Sequence, residues 1–311
     1  MSNLALEPMP RQWPDPGAAY RRGVVLVLLT ATFWSFSGLI VRGIEVAGPW
    51  EVLFYRSLGV TLGAGLIVLW RHGGRAPRVL GAIGWPGLLA AFCLATASVS
   101  FFHALFQTTV ANVSFIFAAH PFYAALLAWL VLRERVARRT WVAAGLALVG
   151  VLLMVVEGLA VGGLSGNLLA LLASMLSAGY AVALRCGRRR DMTPAVALSG
   201  AFALLASAPM VSEFAVPWQD IALCLLQGMV ISAFCNSVFA FAARAVPAAE
   251  LTLLTLLETV LAPTWVFLVI AERPSPTTLI GGTVILAAVM GHALWSLKSA
   301  APSRAFGRPP G

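Results

Sequence analysis

Two stretches decide the fold: VANVSFIFAAHPFYAALLAWLVLRER at residues 110–135 and AAELTLLTLLETVLAPTWVFLVIAER at residues 248–273, 138 positions apart. Each is a long apolar run holding one ionisable group about halfway along, His120 or Glu258, with a proline nearby, Pro121 or Pro263. Both finish in Glu-Arg, at Glu134-Arg135 and Glu272-Arg273. A helix crosses the hydrocarbon core of a bilayer with about 20 mainly apolar residues, so both stretches read as membrane spans. An ionisable group in such a span is costly and faces a cavity, a pore or a partner. A proline beside it frees backbone carbonyls to line that cavity.

Outward from this pair, apolar stretches of spanning size fall near residues 24–41, 50–70, 82–104, 110–132, 140–157, 167–185, 194–212, 220–243, 249–270 and 277–297. Short connections such as RHGGRAPR (71–78), LRERVARR (132–139), RCGRRRD (185–191) and AERPSP (271–276) carry the charges and helix breakers. LLTATFWSFSGLIVR (28–42) also lies over LLASMLSAGYAVALR (171–185), at a shift of 143. The expected fold is therefore an all-α integral membrane protein of ten transmembrane helices, arranged as two five-helix repeats. Five is odd, so the second repeat must insert upside down.

Charge provides an independent check. The 311 residues are 60% hydrophobic and 11% charged, where soluble domains run near half and a quarter. Of 21 Lys and Arg, only Arg42 and Arg273 fall in loops opposite the N-terminus, which hold Glu45, Glu51, Glu157, Glu213, Asp220 and Glu272 instead. By the positive-inside rule both termini are then cytoplasmic. The net charge of +9 follows from this topology and calls for no nucleic acid. Trp50, Trp70, Trp85, Trp141, Trp218 and Trp295 near span ends fit interfacial aromatic belts. The expected organisation is a disordered cytoplasmic tail (1–22), a first repeat (23–157), a linker (158–166), a second repeat (167–297) and a cytoplasmic tail (298–311). The four cysteines, Cys93, Cys186, Cys224 and Cys235, show no CxxC pairing and read as small buried hydrophobes.

An aromatic and small-residue first helix (Phe33, Trp34, Ser35), an FYRS element (Phe54 to Ser57), and the LRER and AER ends resemble the drug/metabolite transporter superfamily, in particular its EamA-type members. The resemblance covers roughly residues 24–297. It implies a ten-helix carrier of amino acids, other metabolites or drugs, often an exporter, in the cell inner membrane. It also implies that the first, third, fourth, sixth, eighth and ninth helices surround one cavity that opens alternately to each side. Ala201 stands at about the position in the second repeat that Arg56 holds in the first, so no role for that arginine is shared by both.

The candidate residues follow. Glu258 is the expected protonatable coupling group and His120 a substrate or proton partner; the plain alternative for each is a hydrogen-bonded packing residue. Trp34, Ser37, Tyr123, Tyr180 and Asn236 are candidates to line a substrate cavity. Arg56, too deep for a plain loop charge, is assigned to a structural or gating ion pair with Glu45, Glu51 or Glu272 as partners. Arg244 and Glu250 would close a cytoplasmic gate, or form a solvated surface pair. His103, Gln107 and Asn112 would form an outer vestibule, or cap helix ends. Partners are a small solute and the lipid bilayer; no metal or other cofactor is expected, and monomer and dimer stay open. Gly163-Leu164-Ser165-Gly166 is similar to an intramembrane serine protease motif, but Ser165 falls in the linker and His292 has no supporting motif. HExxH, paired helical aspartates and GxxxxGK[ST] are all missing. Transport is thus the reading, a facilitative carrier or channel the alternative, and a membrane enzyme or scaffold the remote one.

Overall fold

The computed structural model describes residues 16–132, 138–161, 163–187, 190–212, 214–242 and 248–300. Every regular element among them is helical. The first apolar stretch forms α1 (Pro16–Trp34) and α2 (Ser37–Arg42), and the second forms α3 (Pro49–His72). After the short α4 (Ala76–Gly81) come α5 (Gly84–Gln107), then α6 (Val110–Phe117) and α7 (His120–Leu132), which divide the fourth stretch. α8 (Arg138–Val161), α9 (Leu164–Cys186) and α10 (Thr193–Ser207) follow. The eighth stretch is α11 (Trp218–Leu226), a π-helical segment (Gln227–Phe234) and α12 (Cys235–Ala242); α13 (Ala248–Ile270) and α14 (Pro276–Ala300) complete the fold.

All ten apolar stretches are thus helical, yet seven helical runs among the described residues are long and apolar enough to cross a membrane. The other three stretches contribute shorter apolar helices over Trp141–Leu153, Leu257–Ile270 and Pro276–Ala288. Two expected boundaries change. Residues 16–22, assigned to the tail, belong to α1, because Pro16 is tolerated at a helix start. α8 runs to Val161 and α9 begins at Leu164, so residues 158–161 and 164–166 of the expected linker are helical and Ser165 sits in the first turn of α9. Residues 1–15, 133–137 and 301–311, with parts of both expected tails, lie outside the described residues.

The breaks have local causes. Thr30, Thr32 and Ser35 each turn a hydroxyl back onto a carbonyl of the preceding turn, those of Val27, Leu28 and Thr32, a pattern that bends helices. Between α6 and α7, Pro121 has no N–H to offer the carbonyl of Phe117. Ser174 of α9 donates to that carbonyl instead, at 3.4 Å. One break in the fourth stretch is therefore closed by a side chain from the other half of the chain.

The outward surface is apolar. Leu62, Leu66 and Leu69 of α3, Leu88 and Phe92 of α5, Val142, Leu146 and Val149 of α8, and Leu268 and Val269 of α13 are all exposed. Trp70, Trp85, Trp141 and Trp218 are exposed too. Water would not tolerate so continuous a surface, whereas lipid favours it. The two halves interlock by matched contacts: α3 packs on α10, α6 on α13 and α8 on α14. Crosswise, α5 on α9 is answered by α12 on α1, and α1 on α13 by α9 on α7. Exchanging the halves leaves this pattern unchanged.

At one contact the backbones touch. A Cβ on Gly228 of the π-helical segment would overlap the carbonyl of Arg56 on α3. Gly228→Ala should therefore destabilise the fold by about 3 kcal/mol or more, because a backbone carbonyl cannot rotate aside. Thermal unfolding of the purified protein checks this.

Loops gather at two ends. At the Asp191 end, Asp191 accepts from the backbone N–H and hydroxyl of Thr193 and lies 3.0 Å from His72 Nε2 and 3.6 Å from Arg71 Nη1. Burial pushes its carboxyl pKa up, but the Thr193 and His72 hydrogen bonds and Arg71 outweigh it, leaving the pKa below the usual carboxylate value. A depressed folded-state pKa means this stabilisation is complete above the ordinary carboxylate range and is lost as pH falls through the lower folded value. Asp191→Asn should cost on the order of 1–2 kcal/mol at neutral pH and little at acid pH. Unfolding midpoints across pH measure the difference.

Candidate functional site

At the opposite end, named here for Arg42, five connections are tied together. Arg42 donates to Glu272 Oε2 (2.8 Å) and to the carbonyls of Leu105 and Thr108 (both 2.9 Å), the last carbonyls at the C-terminal end of α5. The other oxygen of Glu272 accepts from the N–H of Val110 at the start of α6 (2.8 Å). A cation thus meets a helix C-terminus and an anion a helix N-terminus, both favoured by the helix dipole. Ala271, before the glutamate, has φ +57°, a strained left-handed turn for a residue with a Cβ. Deeper in, Asn112 donates to Thr108 (3.0 Å) and Asn167 (3.3 Å) and accepts from Thr278. Asp220 on α11 accepts from the backbone N–H groups of Val46 and Ala47, both at 2.9 Å. Glu51 accepts from the N–H and hydroxyl of Ser212.

Below this seal the helices change character at one depth. Ser35 lies seven residues in from Arg42, Ala118 eight from Val110, and Pro263 seven from Ile270. At about 1.5 Å per residue the two breaks and the proline inside the continuous α13 sit roughly 11–12 Å down. Trp265 of α13 holds the first break: its Nε1 donates to Ser35 Oγ (3.0 Å), and its ring stacks on Phe36 at 5.3 Å. Trp34 packs on Phe239 of α12, and Ser37 is buried at the start of α2. Deeper still come the two candidates of the repeat, His120 about half a turn past Ala118 and Glu258 about one and a half turns past Pro263. His120 opens α7 with its ring stacked on Phe117 at 5.9 Å. Glu258 stands on α13, an electrostatic neighbour of the Cys235 thiol on α12. Neither makes a hydrogen bond to a described residue.

The helices that carry them part company. α6 packs against α13, but past the break α7 packs on α9 and α8 and makes no comparable contact with α13 among the described residues. α13 continues instead against α1. His120 and Glu258 consequently belong to two walls that meet at the Arg42 end and separate below it.

Other expected residues fall elsewhere. Tyr123 is part of the apolar cluster around Leu105, Ile116 and Phe122, and Tyr180 is buried between α9 and α5 against Ala90 and Cys93. Asn236 bonds back to the carbonyl of Ser232 (2.8 Å) and lines a cleft with Arg56. The vestibule trio divides. Asn112 belongs to the seal, Gln107 is exposed, and the His103 ring meets Trp50 at 4.3 Å. Arg56 takes part in no ion pair among the described residues; it bonds Ser232 and lies over Phe102. Its expected ion pair is corrected: Glu272 is held by Arg42, and Glu51 by Ser212, which leaves hydroxyls and a ring as its neighbours. Arg244 and the side chain of Glu250 lie outside the described residues. Trp265, Asn167 and Thr278 do not stand out in the sequence, and Asp220 reads there only as a loop acid. A polar group within a turn of a span end was the available signal, and it is common enough at helix caps to go unnoticed.

The profile of the EamA-like transporter family matches this chain twice, over residues 21–156 and 164–293. The chain belongs to the EamA-like transporter family. The two matches part at the α8–α9 junction, where the two halves of the packing pattern meet. Within the family's range, the chain is 27% identical over 270 residues to "Uncharacterized transporter YwfM" of Bacillus subtilis (strain 168), covering 83% of this chain and 88% of that one. A solved structure, described as "Crystal structure of protein", superposes with a TM-score of 0.67 at 17% identity, covering 89% of this chain and 99% of the other. That likeness concerns the fold. The chain is accordingly a multi-pass membrane transporter.

Proposed function

We propose that this EamA-family protein is a secondary active carrier that exports a small metabolite, such as an amino acid or related compound, across the cell inner membrane by alternating access. The ten helical stretches are read as two inverted five-helix repeats with both termini cytoplasmic, which makes the Arg42 end the outer one. The observation that carries the reading is the divergence of α7 from α13 beneath a sealed Arg42 end. A cavity open at one end only is what alternating access requires of each resting state. The breaks at Ser35 and Ala118, and the carbonyl that Pro263 leaves without an N–H in α13, would supply acceptors to such a cavity, with His120 and Glu258 as titratable groups on its two walls.

In this mechanism Glu258 takes up or gives up a proton as solute leaves or enters, and His120 contacts the solute or passes the proton. Opening at the Arg42 end requires the Arg42–Glu272 pair to part while α7 and α13 close. No nucleotide-binding loop is present in the sequence, so a proton or solute gradient is the energy source. Purified protein in liposomes, offered a panel of amino acids and related metabolites with and without a pH gradient, tests this. Saturable flux of one solute class, faster with the gradient, is expected. No flux of any solute would leave the scaffold reading in its place.

A further inference from the structure

We propose that Arg56 forms the base of a binding site for a small monovalent anion, a halide or a carboxylate group, set between α3, α5, α10 and the π-helical segment. Arg56 is 6% exposed. Its Nη2 donates to Ser232 Oγ at 2.9 Å and to Ser98 Oγ at 3.5 Å, and its guanidinium carbon stands 4.2 Å from the centre of the Phe102 ring. Its Nε is buried with no hydrogen-bond partner. Buried charges are ordinarily paired, because the attraction of a counter-ion offsets the loss of water. Here the ion pairs among the described residues are Arg42–Glu272, Arg71–Asp191 and His72–Asp191. The ionisable neighbour is the Cys224 thiol on α11. One turn away along α11, the Asp220 carboxylate is already engaged by backbone N–H groups, and Glu51 on Arg56's own helix is engaged by Ser212.

What surrounds the guanidinium is a cleft with a polar lining, in which Ser199 and Ser232 spend their hydroxyl hydrogens on Val196 and Gln227 and Ser98 keeps its own. Ser98, Ser199, Ser232 and Asn236 face it together with Arg56, with no carboxylate among them. The space is about 10 Å³, enough for one water-sized group, which suits a halide or one oxygen of a carboxylate and excludes a phosphate or sulfate. A fixed cation with a spare N–H, the Ser98 hydroxyl, which accepts from Arg56 and can turn its own hydrogen into the cleft, and an apolar wall of Val60, Leu94 and Val196 favour an anion over water.

The test uses full-length protein in detergent and reads the thermal unfolding midpoint. Sodium chloride and, separately, sodium formate are titrated against sodium isethionate at constant ionic strength, its sulfonate being, like sulfate, too large for the cleft. The wild type should show a saturable rise of about 3 °C or more with at least one of them. A rise with chloride alone identifies an inorganic anion site, and a rise with formate identifies recognition of a carboxylate such as a solute would carry. Arg56→Met should abolish the rise and, in isethionate, melt no lower than the wild type, since it removes an uncompensated buried charge at similar volume. Ser98→Ala keeps the arginine and should move half-saturation up by about tenfold. Equal midpoints in all three salts, or a rise that persists in Arg56→Met, would overturn the proposal. If Arg56→Met does not fold, an unchanged half-saturation in Ser98→Ala overturns it just as well.

Discussion

Glu258→Gln is expected to reduce pH-driven accumulation in liposomes to the level of empty vesicles while leaving solute exchange at zero gradient within about threefold of the wild type. The amide has nearly the shape of the carboxylic acid but cannot take up or release a proton, so a step that needs protonation stops and one that needs only shape continues. No described hydrogen bond is lost by the change, so stability should move by less than about 1 kcal/mol. That separates a transport defect from a folding defect. His120→Gln is the companion: it should lower exchange as well as accumulation if the ring contacts solute. Accumulation that keeps its pH dependence in Glu258→Gln would remove the carboxylate from the coupling mechanism.

The second large effect is expected at the seal. Arg42→Gln loses the ion pair to Glu272 and the bonds to the Leu105 and Thr108 carbonyls, and it leaves Glu272 held by the Val110 N–H alone. The pair is partly exposed, with side chains 26% and 20% accessible, so its Coulombic share is screened. The charge-assisted hydrogen bonds remain the larger loss, and about 2–3 kcal/mol is reasonable for the set. Each 1.4 kcal/mol is about tenfold in a two-state ratio, so the closed state of the Arg42 end should lose roughly 30- to 150-fold in population. A cysteine substituted at Val110, buried beneath the seal, reports this. Labelling of Val110→Cys by a membrane-impermeant maleimide should be at least about tenfold faster when Arg42→Gln is also present. Equal labelling would show that the apolar cluster under the seal, not the polar network, keeps that end shut.

How far the sequence speaks depends on whether a feature is written in a period, a single residue, or a meeting of distant residues. Apolar stretches of spanning length are visible as runs, and the helices fall on them. The repeat is visible in the register of His120 and Glu258 and returns as packing that survives exchange of the halves. Pro121 announced the break before His120, because a missing N–H is a property of one residue. The break at Ser35 was harder to read. It needs three hydroxyls bonding back along α1 and a Trp265 ring from 230 positions away. The surroundings of Arg56 are hidden for the same reason: three carboxylates expected on its side of the membrane make an ion pair reasonable, and only the fold shows that Arg42 and Ser212 hold two of them. The seal could not be seen at all, since Asn112, Asn167 and Thr278 look like ordinary helix-end polar residues until they meet.

The most direct measurement is of distances at both ends in one sample. Spin labels at Val46 and Gln107 report the Arg42 end, and labels at Leu130 and Leu257 report the separation of α7 from α13. In liposomes carrying a pH gradient and transported solute, the account predicts that the first distance lengthens as the second shortens, with both distributions bimodal. Distances that stay fixed, or that lengthen together, would contradict alternating access in this protein.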